Sequence, residues 1–129
     1  MSKTFLSLGA LFGAIAVALG AFGAHGLRNI ASGEVIDTFK TGVQYQVYHA
    51  IALLVVAVVC DRLRNKWIEW SGWFFSIGII LFSGSLYLIT ALKISEKAVP
   101  VVVGIITPVG GLVFIVAWLC LFFASFKKN

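Results

Sequence analysis

Apolar residues run along this chain in four long blocks, separated by short stretches that hold nearly all the charge. The first block is Thr4–Ala24, and no charged residue falls between Lys3 and Arg28. The second runs from Val43 to Cys60 and is closed by Asp61; the third is Ser71–Leu92 and the fourth Val99–Phe126. Each is close to the ~20 residues that a helix needs to cross the hydrocarbon of a bilayer. The pattern predicts an all-α membrane protein, a four-transmembrane-helix bundle. The first block follows a basic residue, as a signal peptide does, but its apolar run exceeds the usual ~7–15-residue signal core. It is read as a retained helix. Between the first and second blocks lies "ASGEVIDTFKTGVQYQ", where Val35 or Ile36, Phe39 and Val43 recur at helical spacing. That suits a short amphipathic interfacial segment, capped by Ser32 or Asp37. An ordinary solvated loop is the alternative.

Composition supports the membrane reading. Of 129 residues 60% are hydrophobic and 12% charged, where a soluble domain averages about 25% charged. The chain is expected to form a single polytopic domain over residues 1–129. Its net charge of +5 is spread over the ends of the apolar blocks and not gathered into a groove or arm, which argues against nucleic acid as a partner. Six basic residues (Lys3, Arg62, Arg64, Lys66, Lys127, Lys128) fall on one side of a four-span topology and four (Arg28, Lys40, Lys93, Lys97) on the other. The positive-inside rule then places both termini in the cytoplasm. Trp67, Trp70 and Trp73 would form an inner aromatic belt, and Tyr45 and Tyr48 an outer one. Cys60 and Cys120 would lie toward the reducing side, with no CxxC pairing.

Two patterns concern helix packing. Gly9, Gly13, Ala16, Gly20 and Gly23 are spaced 4, 3, 4 and 3 apart and form one stripe on the first span. Small residues let helix backbones approach closely in lipid, so the stripe predicts tight packing against another helix of this chain or of another. A glycine-walled substrate groove is the less favoured reading. In the fourth span, "ITPVGG" holds Pro108, Gly110 and Gly111. Pro108 removes a backbone donor and frees the carbonyl of Gly104, which predicts a kink. The kink shapes packing in one reading and offers carbonyls to ions in the other.

Candidate chemistry follows from the polar residues inside the blocks. His25 and His49 flank the first loop and are expected toward the outer face, with Tyr45, Gln46, Tyr48, Ser85, Tyr87, Thr90 and Thr107, while Ser83 falls near mid-membrane. Tyr45 and His49 share a helical face, as do Ser83 and Tyr87. Polar groups in hydrocarbon need partners, so these residues are expected to converge in the bundle interior as a candidate ligand-binding cluster. The two histidines are structural, or touch a proton or headgroup, or ligate haem or a metal. No third ligand accompanies them, and no metal or cofactor is expected. No Asp, Glu, Lys or Arg lies within a span, which removes the usual acid of an ion-coupled pump. No nucleophile–base pair with an orienting carboxylate can be assembled, so catalysis is not expected.

The motifs "GAFGAHGL", "YQVYHAIALL", "GIILFSGSLYLI" and "ITPVGGLVFIVAW" resemble, in that order, those of the small bacterial inner-membrane family of unknown function typified by YgdD and YwdK, which has small eukaryotic transmembrane relatives. The resemblance covers nearly the whole chain. Its motif residues map onto Gly23, His25, Gly26, Tyr45, Gln46, His49, Ser83, Gly84, Ser85, Tyr87, Pro108, Gly110 and Gly111. It implies a polytopic protein of a bacterial plasma membrane and implies no activity. The expectation is a non-enzymatic accessory protein that contacts a lipid headgroup or partner protein at the outer leaflet. A homo-oligomer or a partner membrane protein is expected alongside the bilayer. A small oligomeric transporter or channel is the second reading, and a haem- or quinone-linked redox subunit the third.

Overall fold

The computed structural model describes residues 1–127, so Lys128, counted above among the basic residues of the tail, lies outside the described residues. Among the described residues all regular structure is helical. Helix α1 (Ser2–His25) ends in a 3₁₀ turn, Leu27–Asn29, that tucks Leu27 fully out of contact with solvent. Helix α2 runs unbroken over Gly33–Leu63, beginning after an extended Ser32. The amphipathic segment is therefore helical, but it is the first third of α2 and not a separate interfacial element. Its apolar positions Val35 and Phe39 are buried, so they continue the same face that α2 uses deeper in the bundle. The helix that carries the second apolar block accordingly starts at Gly33, ahead of the block's own start at Val43.

Arg64, in the left-handed region at φ 40°, ends α2, and Asn65 starts the next helix by accepting a hydrogen bond from the Ile68 N–H at 3.2 Å. The Asn65 side chain also donates to the carbonyl of Ala124 at 3.1 Å, which fixes the far end of the chain beside this loop. The third span is built from α3 (Lys66–Gly78), a π-helical turn (Ile79–Ser83) and α4 (Gly84–Ile94). It closes with a left-handed Glu96 at φ 57°, where Lys97 N–H reaches Leu92 and Glu96 N–H reaches Lys93, the paired bonds of a Schellman cap. Helix α5 (Val101–Ala124) follows Pro100 and contains Pro108.

α2 packs on α1 along one side and on the third span along the other, while α5 packs on the third span. The core lies toward the end that carries the termini and the α2–α3 loop, where Phe5, Leu53, Val56, Ile68 and Phe75 are sealed. Burying apolar side chains gives helices little in lipid, so contact distance decides the packing. The glycine stripe packs against the chain's own α2. A Cβ on Gly9 would strike Leu54 and one on Gly23 would strike Phe39, Gly20 faces Val43, and Ala16 is buried. Gly13 is the exception, with nothing within 4 Å of its Cβ position.

Candidate functional site

The interior polar residues sort into two groups. The first ties helices together. Gln46 donates to the Phe12 carbonyl of α1 at 2.8 Å and accepts from the Tyr87 hydroxyl of α4 at 2.7 Å, so one buried amide links three helices. Ser83 donates to the Gly42 carbonyl at 2.7 Å, and Ser85 pairs with Thr107 of α5 at 2.7 Å. Each of these five side chains has its partner inside the bundle, as polar groups surrounded by hydrocarbon must.

The second group is His49 and its surroundings. His49 Nδ1 bonds the carbonyl of Tyr45, one turn earlier, at 2.6 Å. Trp118 of α5 donates its indole N–H to Nε2 at 3.2 Å. A carbonyl only accepts and an indole N–H only donates, so the ring is neutral, with its proton on Nδ1 and Nε2 bare. Its plane lies on that of Phe114, centroids 3.5 Å apart and 5° from parallel. Both nitrogens are thus engaged, and His49 is a bridge between α2 and α5.

His25 takes no part in this arrangement. It is exposed at the end of α1. Gln46 lies opposite Phe12 and Ala50 opposite Gly9, which puts His49 between the levels of Gly9 and Phe12, in the first half of α1. His25 stands thirteen residues past Phe12, about 20 Å along the axis at ~1.5 Å per residue. The expectation that both histidines sit near one face is corrected: the fold carries His25 to the end of α1 and sets His49 inside the bundle, level with the first half of that helix. The redox reading rested on the pair, and the fold separates it. Among the described residues no cluster of three His, Cys, Asp or Glu side chains could hold a metal ion.

Because α2 and α5 both lean on the third span, a space remains between them. It forms a groove of about 590 Å³, open at the side of the bundle, lined by Tyr45, His49, Phe82, Pro108, Gly111, Leu112, Phe114, Ile115 and Trp118. Its walls are mostly aromatic and aliphatic. Phe82 belongs to the π turn, and its ring stands 4.7 Å from that of Tyr45. The hydroxyl of Tyr45 has no hydrogen-bond partner among the described residues, and Tyr45 is 38% exposed, which leaves this donor free at the groove. The groove is therefore suited to holding an apolar molecule and offering it one hydrogen bond. Among the described residues the half of the bundle nearer the termini offers no comparable polar path. Its buried polar side chains are Ser71 and Ser76, and Ser76 is satisfied by the Gly72 carbonyl.

Comparison with known proteins places the chain. A family described as "Protein of unknown function (DUF423)" matches residues 19–111. The chain belongs to this family. Within it, the chain is 43% identical over 126 residues to the UPF0382 membrane protein YwdK of Bacillus subtilis, covering 97% of this chain and 98% of that one. A UPF0382 membrane protein of Haemophilus influenzae is 43% identical over 129 residues, covering 100% and 98%. One of Staphylococcus aureus strain RF122 is 42% identical over 125 residues, covering 97% of each. No solved structure matches. This member of the DUF423 family is thus a membrane protein with four helices long and apolar enough to cross a bilayer.

Of the residues singled out from sequence, Gln46, Ser83, Ser85, Tyr87 and Thr107 are structural links, Tyr45 and His49 border the groove, and His25 lies apart. Trp118 and Phe114, which hold His49, escaped the sequence reading. Trp118 is the one tryptophan of the chain away from the third span's basic start, and that isolation was the available signal. Gln44 also escaped. It sits exposed on α2 and donates to the Tyr48 hydroxyl at 2.5 Å.

Proposed function

We propose that this membrane protein is a non-enzymatic binding protein whose lateral groove holds a lipid-soluble molecule carrying a single hydrogen-bonding group. The observation that carries the reading is the Tyr45 hydroxyl, free about one turn inside the uncharged stretch of α2 and beside a groove walled by His49, Phe82, Phe114 and Trp118. The fitting ligand is neutral, dissolves wholly in the hydrocarbon, and offers an acceptor oxygen to Tyr45 while its apolar body lies against the rings. The protein is read as an accessory component of a bacterial plasma membrane, with both termini in the cytoplasm.

The test is native mass spectrometry of the full chain released from a mild detergent. Wild type is expected to retain an added mass. Tyr45→Phe removes the hydroxyl alone and should reduce its retention about tenfold, the worth of one hydrogen bond in a dry site. Gly111→Leu should abolish it, since a Cβ at Gly111 meets only ordinary contacts at 3.8 Å and a longer side chain then fills the groove. A bare wild-type chain, or a mass kept equally by all three proteins, would sink the reading.

A further inference from the structure

We infer that a second copy of this chain docks, in the same orientation, along the exposed face of α2. Besides Tyr45, which borders the groove, α2 exposes within its uncharged stretch Thr41, Gln44, Tyr48, Ile51, Val55 and Val58. Their spacings of 3, 4, 3, 4 and 3 repeat every 3.5 residues, the period at which two helices stay in contact as they wind around each other. The stripe lies on the span whose apolar window is the most enclosed of the four, so this face is the side of a central helix that its own chain leaves open.

Two local features say what covers it. A shallow hollow of about 290 Å³ is lined by Ile51, Leu54, Val55, Val58 and Val59 alone. Ile51, Leu54, Val55 and Val58 stand at i, i+3, i+4 and i+7, the four corners of the hole that receives one side chain from a facing helix. Closer to the α1–α2 loop, Gln44 spends one amide N–H on the Tyr48 hydroxyl. Its carbonyl, its other N–H and the Tyr48 proton have no partner among the described residues, although the pair faces lipid one turn inside the uncharged stretch. A primary amide is both donor and acceptor. Across a two-fold axis normal to the membrane, Gln44 meets the partner's Gln44, and two N–H···O=C bonds close reciprocally. An unrelated helix would have to supply that match by coincidence; an identical one supplies it by symmetry.

Disulfide trapping of the full chain in its native membrane, with oxidant, tests this. Cys60 and Cys120 are buried, so they give a low background. Cysteine placed singly at Ile51, Val55 and Val58 should trap a dimer, whereas cysteine at Leu112 or Val116, equally lipid-facing on α5, should not. Gln44→Leu keeps an exposed side chain of similar size and should weaken dimerisation in lipid nanodiscs about tenfold, from the loss of two interhelical hydrogen bonds. A monomer in nanodiscs, trapping as strong on α5 as on α2, or a dimer indifferent to Gln44→Leu would overturn the inference.

Discussion

Ser71 shows how strictly this bundle handles polar atoms, because it is the exception. Its hydroxyl is fully buried and has no hydrogen-bond partner among the described residues, whereas Ser76, Ser83, Ser85 and Thr90 each find a carbonyl. A buried hydroxyl without a partner costs about 1–3 kcal/mol, more than one methyl-sized hole would. Ser71→Ala is therefore expected to raise the thermal unfolding midpoint in detergent; a lower midpoint would show that the hydroxyl is satisfied after all. The same accounting explains what was legible at His49. A lone imidazole in an apolar run announces itself as a residue with partners to find. Its partner Trp118 lies 69 residues away on a helix whose place in the bundle no local pattern reveals. The sequence thus singles out His49 but neither its partner nor its separation from His25, since both depend on how the helices register against one another.

At the scale of elements, close approaches organise the packing, and glycines take aromatic rings. Gly72 accommodates the ring of Phe5, Gly78 that of Phe114, Gly42 that of Tyr87 and Gly23 that of Phe39. Gly110 is less forgiving, since a Cβ there would lie 2.5 Å from the backbone nitrogen of Phe82, in the π turn, and not against a ring that can move. The π turn therefore sits where α5 crosses the third span, and it carries Phe82 into the groove wall. Nothing in "IILFSGS" marks that turn, because a π turn is set by what packs on it and not by a residue preference. The stripe on α1 was legible as a packing face from its spacing, yet spacing treats its members alike. Gly13 has open space around it, so Gly13→Ala should leave stability unchanged or raise it by up to ~1 kcal/mol through helix propensity. Gly110→Ala forces backbone apart and should cost about 1–3 kcal/mol. Denaturant unfolding of both variants checks the contrast, and equal effects would refute it.

For the whole molecule, four spans put both termini on one side, and the Asn65–Ala124 bond gathers them with the α2–α3 loop at one end of the bundle. Which side that is rests on the Lys and Arg balance alone, six against four. So narrow a margin makes orientation sensitive to the loop charges. Three of the six, Arg62, Arg64 and Lys66, lie in the α2–α3 loop, and exchanging them for neutral residues leaves three against four. Arg64→Asn suits its left-handed backbone, where asparagine is favoured among non-glycine residues, and Arg62→Gln and Lys66→Gln keep helix formers. The fold should therefore survive the exchange while the insertion bias reverses. A C-terminal fusion to a reporter that fluoresces only in the cytoplasm should be bright on the wild type. The triple variant should divide between bright and dark populations, with a phosphatase fusion active only outside the membrane rising as fluorescence falls. A dark wild-type fusion would invert the topology, and a triple variant as bright as wild type would mean that the helices, not the loop charges, set the orientation.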